Sequence, residues 1–129
     1  MIELSTIAVE QVSAPPLAPV ERAIDLAHFS RMTFGDRSLE REILQLFDRQ
    51  SEILLARMRQ CAPSAASAFA HTLKGSSRGI GAWRMGNTAE AVELAATTGN
   101  AAEVKAAIDC LGKAIDEVRI MIAELLRAH

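Results

Sequence analysis

His71, Lys74 and Gly75 stand together in the stretch AHTLKGSSRG, residues 70 to 79 of a 129-residue chain. A histidine aimed at water beside a lysine either handles an anion or does nothing. Imidazole is a nucleophile only when neutral, and the nitrogen that attacks is fixed by what the other one donates its proton to. A carboxylate accepting from Nδ1–H leaves Nε2 free to attack phosphorus. Lys74, one turn along a helix, can then pair with the phosphoryl oxygens.

Helical spacing decides whether this histidine is accessible. At about 100° per residue, Ala66, Phe69, Leu73, Ser77 and Ile80 fall within roughly 80° of one another and define the buried stripe of a helix. His71 lies about 160–200° from Phe69, Leu73 and Ile80, so it faces solvent. Within about 60° of it lie Ser64, Ser67, Ala68, Lys74, Gly75 and Arg78, which are small residues apart from two cations. A mid-helix glycine costs about 1 kcal/mol relative to alanine, and Gly75 therefore points to the close approach of another molecule.

The stretch AHTLKGSSRGIGAWRMGNTAEAVELAA, with its H-x-L-K-G-S-S core, a Gly-Ala pair ten residues after the histidine and a carboxylate twenty-two after it, resembles the histidine-containing phosphotransfer (HPt) domains of phosphorelays. Upstream, DLAHFSRMTFGDRSLEREILQLFDRQ is similar to the family's first two helices, which extends the resemblance from about Ile24 to the C-terminus. The resemblance implies that His71 is the phosphorylated residue, that Lys74 assists it and that Gly75 admits a receiver domain. It puts Glu93 at the position from which a neighbouring helix hydrogen-bonds the imidazole Nδ1. It further implies a carrier that moves a phosphoryl group between receiver-domain aspartates, with response-regulator receivers and a hybrid histidine kinase as partners. The carrier needs no cofactor of its own, since Mg²⁺ belongs to the receiver. Ser64, Ser67, Ala68, Gly75 and Arg78 then form the docking face, Arg78 through attraction for an acidic rim.

The elements that must position these residues are helices. Alanine and leucine are abundant, β-branched runs are few, and no alternating strand pattern occurs. Pro15, Pro16 and Pro19 set off residues 1–20 as a flexible tail, leaving 21–129 as one helical domain. A short helix from Glu21 to Phe34 would bury Ile24, Leu26, Phe29 and Met32, with Gly35 as its stop and Asp36 capping the next. That second helix carries Leu39, Ile43, Leu46, Phe47, Ile53, Leu54 and Met58, and Pro63 ends it. The third runs from Ser64 to the Gly79–Gly81 break. The fourth, about Ala82 to Thr98, would bury Met85, Ala89, Val92 and Ala96, and Gly99 closes it. Asn100 followed by Glu103 resembles a capping box, opening a last helix with Val104, Ile108, Leu111, Ile115, Val118, Ile122 and Leu125 in steps of four and three. The expected architecture is all-α: an antiparallel up-down four-helix bundle with an additional short N-terminal helix, monomeric.

Composition removes other classes. Fourteen basic and 16 acidic residues leave a net charge of −2 with no basic stripe, which argues against nucleic acid. The N-terminus is acidic rather than basic before its apolar residues, unlike a secretory signal, and no stretch reaches the roughly 18–20 apolar residues of a spanning helix. A cytoplasmic protein without membrane contact is expected. Cys61 and Cys110 lack metal-site spacing and are read as small core residues, with neither a metal nor a bridge. No GxxxxGK[ST] loop is present, so autophosphorylation from ATP is not expected. His28 reads as a surface or interface histidine, and Trp83 as packing a helix junction. Three alternatives stand beside the phosphoryl carrier: a helical adaptor or inhibitor that binds through the same face without chemistry, an acid–base enzyme using His71 and Glu93 on a small substrate, and a dimeric kinase-type bundle in which the histidine helix pairs with its copy.

Overall fold

A computed structural model of the chain describes residues 22–128. The expected tail over residues 1–20, with Glu21 and His129, lies outside the described residues. Five helices follow one another: α1 (Leu26–Met32), α2 (Arg37–Gln60), α3 (Ala66–Ile80), α4 (Trp83–Thr98) and α5 (Ala101–Ala128), with a 3₁₀ turn at Pro63–Ala65 leading into α3. No strand occurs among the described residues.

Cross-helix pairs fix the direction of each helix. Asp48 and Arg119 bond at 2.8 Å, and Arg41 donates to the Leu126 carbonyl at 3.1 Å. With Arg59 near Asp109 at 3.7 Å at the opposite end, these pairs set α2 antiparallel to α5. His71 and Arg78 of α3 pair with Glu93 and Glu90 of α4, a second antiparallel couple. The bundle is thus up-down, in the cyclic order α2, α3, α4, α5.

Its core is the meeting line of four stripes. Ala66, Ala70, Leu73 and Ile80 of α3 are buried against Met85, Ala89 and Val92 of α4 and Val104, Leu111, Ile115 and Ile122 of α5. Alanines on α3 and α4 let those two helices approach closely. Phe69, expected in the α3 stripe, is only half-buried, and Ala70 takes its place.

Helix ends follow local chemistry. Asp25 and Asp36 cap α1 and α2 by accepting from the backbone N–H of His28 and Leu39. Asn100 Oδ1 accepts from Glu103 N–H at 3.0 Å, as in a capping box. The reciprocal bond is replaced: Thr98 Oγ1 accepts from Asn100 N–H and meets Glu103 Oε1 at 3.4 Å. Gly81 ends α3 in the left-handed region at φ 85°, and a Cβ there would stand 2.9 Å from the Asp25 carbonyl oxygen. Asp25 N–H donates to Gly81 O at 2.9 Å, so only glycine admits the docking of α1 on the α3–α4 corner.

Several expectations are corrected. The first helix begins at Leu26, not Glu21, because Asp25 is its cap; Ile24 is buried from the preceding loop, and Met32 is 56% exposed. In α2 the buried stripe is Glu40, Leu44, Phe47, Ser51, Leu54 and Met58, while Leu39, Leu46 and Ile53 are exposed. Two of the six core positions are polar and are satisfied internally, Glu40 by Thr33 Oγ1 at 2.7 Å and Ser51 by the Phe47 carbonyl at 2.8 Å. Cys61 packs partly against the core, whereas Cys110 is exposed because it falls on the outer face of α5; both are free thiols.

Candidate functional site

α3 and α4 meet in an antiparallel register that sets His71 and Lys74 against Glu93, and Arg78 against Gly86 and Glu90. His71 Nδ1 lies 2.9 Å from Glu93 Oε2, and the His71 side chain is 71% exposed. A carboxylate has only acceptors to offer, so Nδ1 carries the proton and donates. In the neutral ring Nε2 then keeps its lone pair.

Glu93 is shared. Its other oxygen, Oε1, lies 2.7 Å from Lys74 Nζ, and both side chains are only 20% exposed. The Lys74 hydrogen bond, helped by the one from His71, holds the Glu93 carboxyl below its ordinary range, although partial burial works the other way. Glu93 therefore stays ionised beside the imidazole at neutral pH. Lys74, expected to reach a phosphoryl group directly, is tied to Glu93 in the free chain.

The small residues named from sequence surround His71 without covering it. Ser64, Ala68 and Gly75 are exposed and Ser67 is half-buried. A Cβ on Gly75 would meet nothing within 4 Å. The packing of the fold therefore does not require glycine there.

Arg78 is placed apart from His71. Its guanidinium bonds Glu90 Oε1 at 3.2 Å, and its stem crosses Gly86, where a Cβ would sit 3.1 Å from Arg78 Cγ. Glu90 and Gly86 were not singled out from sequence. The signal was available, since setting His71 against Glu93 in antiparallel helices brings Arg78 to Gly86 and within reach of Glu90.

Nothing encloses a small substrate here. A groove of about 290 Å³, lined by residues including Met58, Cys61, Pro63, Val104 and Ile108, does not include His71. The accessible imidazole stands on a convex helix face, open to a macromolecule. No group of three or more metal-ligating side chains is gathered among the described residues, and none of their helices is long and apolar enough to cross a membrane.

The bundle thus presents an exposed histidine bonded to a carboxylate of the next helix. The Hpt domain model matches residues 42–128, and the chain belongs to the Hpt domain family. No curated protein and no solved structure matches the chain. Hpt domains are phosphocarriers of two-component signalling that work with receiver domains and histidine kinases, so a phosphotransfer-type role in such signalling is the functional class of this chain. The matched stretch begins inside α2, and α1 with its turn into α2 lies outside it.

Proposed function

We propose that the protein carries a phosphoryl group on His71 Nε2 between receiver-domain aspartates, without kinase activity of its own. The observation that carries this reading is the 2.9 Å bond from His71 Nδ1 to Glu93 on a largely exposed imidazole. Nε2 attacks the phosphorus of an aspartyl phosphate, the N–P bond forms and the P–O bond to the aspartate breaks, releasing its carboxylate. The proton stays on Nδ1, and the positive charge that develops on the ring is met by Glu93. Lys74, already beside Glu93, is the cation nearest to the arriving phosphoryl oxygens. Attack by a second receiver's aspartate on the phosphohistidine runs the same steps in reverse. The Mg²⁺ that such receivers hold supplies charge neutralisation from their side, and the carrier contributes no metal.

Ser64, Ser67, Ala68 and Gly75 form the surface on which the receiver lies, with Arg78 at its edge. The deciding experiment incubates the full chain with a radiolabelled phospho-receiver and Mg²⁺, beside the His71→Gln variant. Acid-labile, alkali-stable label on the wild type alone is the expected result. A folded wild type that gains no label from any of several receivers would defeat this reading and favour a binding adaptor.

A further inference from the structure

The outer face of α2 carries an apolar pattern that the bundle leaves unused. Leu39, Leu46 and Ile53 are 38%, 62% and 43% exposed, and they are spaced seven residues apart. At about 100° per residue the three lie within roughly 40° of one another. Single exposed leucines are ordinary, but three at heptad spacing on one helix face form a seam. A groove with Leu46, Arg49, Gln50, Ile53, Leu54 and Arg57 in its lining follows that seam.

We propose that this seam joins two copies of the chain, α2 against α2, antiparallel, with the two-fold axis passing beside Leu46. Three residues at equal spacing are symmetric about the middle one, so Leu46 meets Leu46 of the second copy and each Leu39 meets the second copy's Ile53. Charge selects the direction. Glu42 lies four residues before Leu46 and Arg49 three after it, on the same flank of the seam about 20° apart. In the antiparallel pairing each Glu42 therefore comes within one residue of level with Arg49 of the second copy and on the facing flank, twice over. In a parallel pairing the flank that carries Glu42 and Arg49 would instead lie on opposite sides of the seam in the two copies, so neither ion pair would form. Neither side chain has an ion pair or side-chain hydrogen bond among the described residues.

Phe34, in the turn between α1 and α2, adds a second sign of use. It is 93% exposed and adopts a left-handed backbone at φ 56°, a conformation that non-glycine residues rarely hold without a reason. In the antiparallel pair it comes level with the Arg57 end of the second copy. Three apolar rungs and two ion pairs are fewer than an obligate interface uses, so the dimer is reversible. The monomer expected from sequence is then the dilute form.

Sedimentation equilibrium of the full chain over the micromolar to near-millimolar range tests this. The wild type should rise from monomer to dimer mass, and Leu46→Glu, folded by circular dichroism, should dissociate about a hundredfold more readily. Glu42→Arg alone and Arg49→Glu alone should each weaken self-association. An equimolar mixture of the two variants should recover it, because each then supplies the charge that the other's second copy lacks. A wild type that stays monomeric over the whole range overturns the proposal, as does a mixture no tighter than its components. Residues 1–21 covering the seam within one chain, or a receiver doing so, would give one of these overturning results.

Discussion

Of the two histidines among the described residues, one half-buried and one exposed, His71 alone has one ring nitrogen bonded to a carboxylate and the rest of its ring open. His71 offers Nδ1 to a carboxylate and leaves the rest of its ring in solvent. His28 packs its ring on Trp83, centroids 4.8 Å apart and edge to face, and its Nε2 is enclosed without a partner. The acidic neighbour of His28 is otherwise engaged: Asp25 accepts from the His28 backbone N–H at 3.1 Å and from Trp83 Nε1 at 3.1 Å. A nucleophilic histidine needs one nitrogen pinned and the other free, whereas the corner histidine has its outer nitrogen shut in. Residue type alone does not separate the two.

Removing the pin should have the largest effect short of losing His71 itself. Glu93→Ala is expected to slow phosphoryl acceptance on the order of 100-fold, and Glu93→Gln, whose amide oxygen still accepts from Nδ1–H, by about tenfold. Single-turnover transfer from a phospho-receiver measures both, and equal losses would mean that Glu93 acts by charge alone. The same residue ties stability to pH. Because its folded value lies below the ordinary 4.5, its contribution is complete above that value and is lost as pH falls through the depressed one. Glu93→Gln should therefore be less stable than wild type near neutrality and converge with it in acid, followed by urea midpoints across pH. A gap that persists unchanged into acid would contradict the Lys74–Glu93–His71 network.

How much of this could be read from the chain differs by helix. α3, α4 and α5 have one apolar stripe each, so Leu73, Met85, Val92, Val104 and Ile115 were assigned to the core from spacing alone. The exposure of His71 was reachable for the same reason, since it projects opposite a well-defined stripe, whereas Glu93 was placed only by the resemblance and its bond to Lys74 was not foreseen. α2 misled because it has two apolar rows and a core row interrupted by Glu40 and Ser51. Those two are buried only because Thr33 and the Phe47 carbonyl satisfy them, and pairing of that kind is invisible in spacing. The α1 corner was legible as a junction at Trp83, but the role of Asp25 in binding three groups at once required the fold.

At that corner the effects should fall on stability and leave transfer alone. Asp25 is held below the ordinary carboxylate range chiefly by the Trp83 indole N–H, so Trp83→Phe should cost about 1–2 kcal/mol. His28→Phe removes a buried nitrogen that has no partner and keeps an aromatic edge on Trp83. It should change stability by less than about 1 kcal/mol in either direction. Thermal and urea unfolding by circular dichroism, needed because Trp83 is the sole tryptophan, gives both numbers. Phosphoryl acceptance within twofold of wild type in each variant keeps the two histidines distinct, and a large loss would join the corner to the site.

The smallest expected effect belongs to Arg78, which sits between the two regions. Its pairing with Glu90 leaves the two side chains 42% and 47% exposed, and exposed pairs of this kind contribute little to stability. Arg78→Ala should therefore unfold like wild type. What it changes is the charge met by an approaching receiver, and Glu90 already offsets part of that charge. A few-fold slower transfer at low salt, fading as ionic strength rises, follows for Arg78→Ala. Glu90→Ala should do the opposite and quicken association under the same conditions, because it frees the guanidinium. If both variants transfer at the wild-type rate at low salt, the ion pair serves only to hold α3 against α4 across Gly86, and the receiver's docking face ends at Gly75.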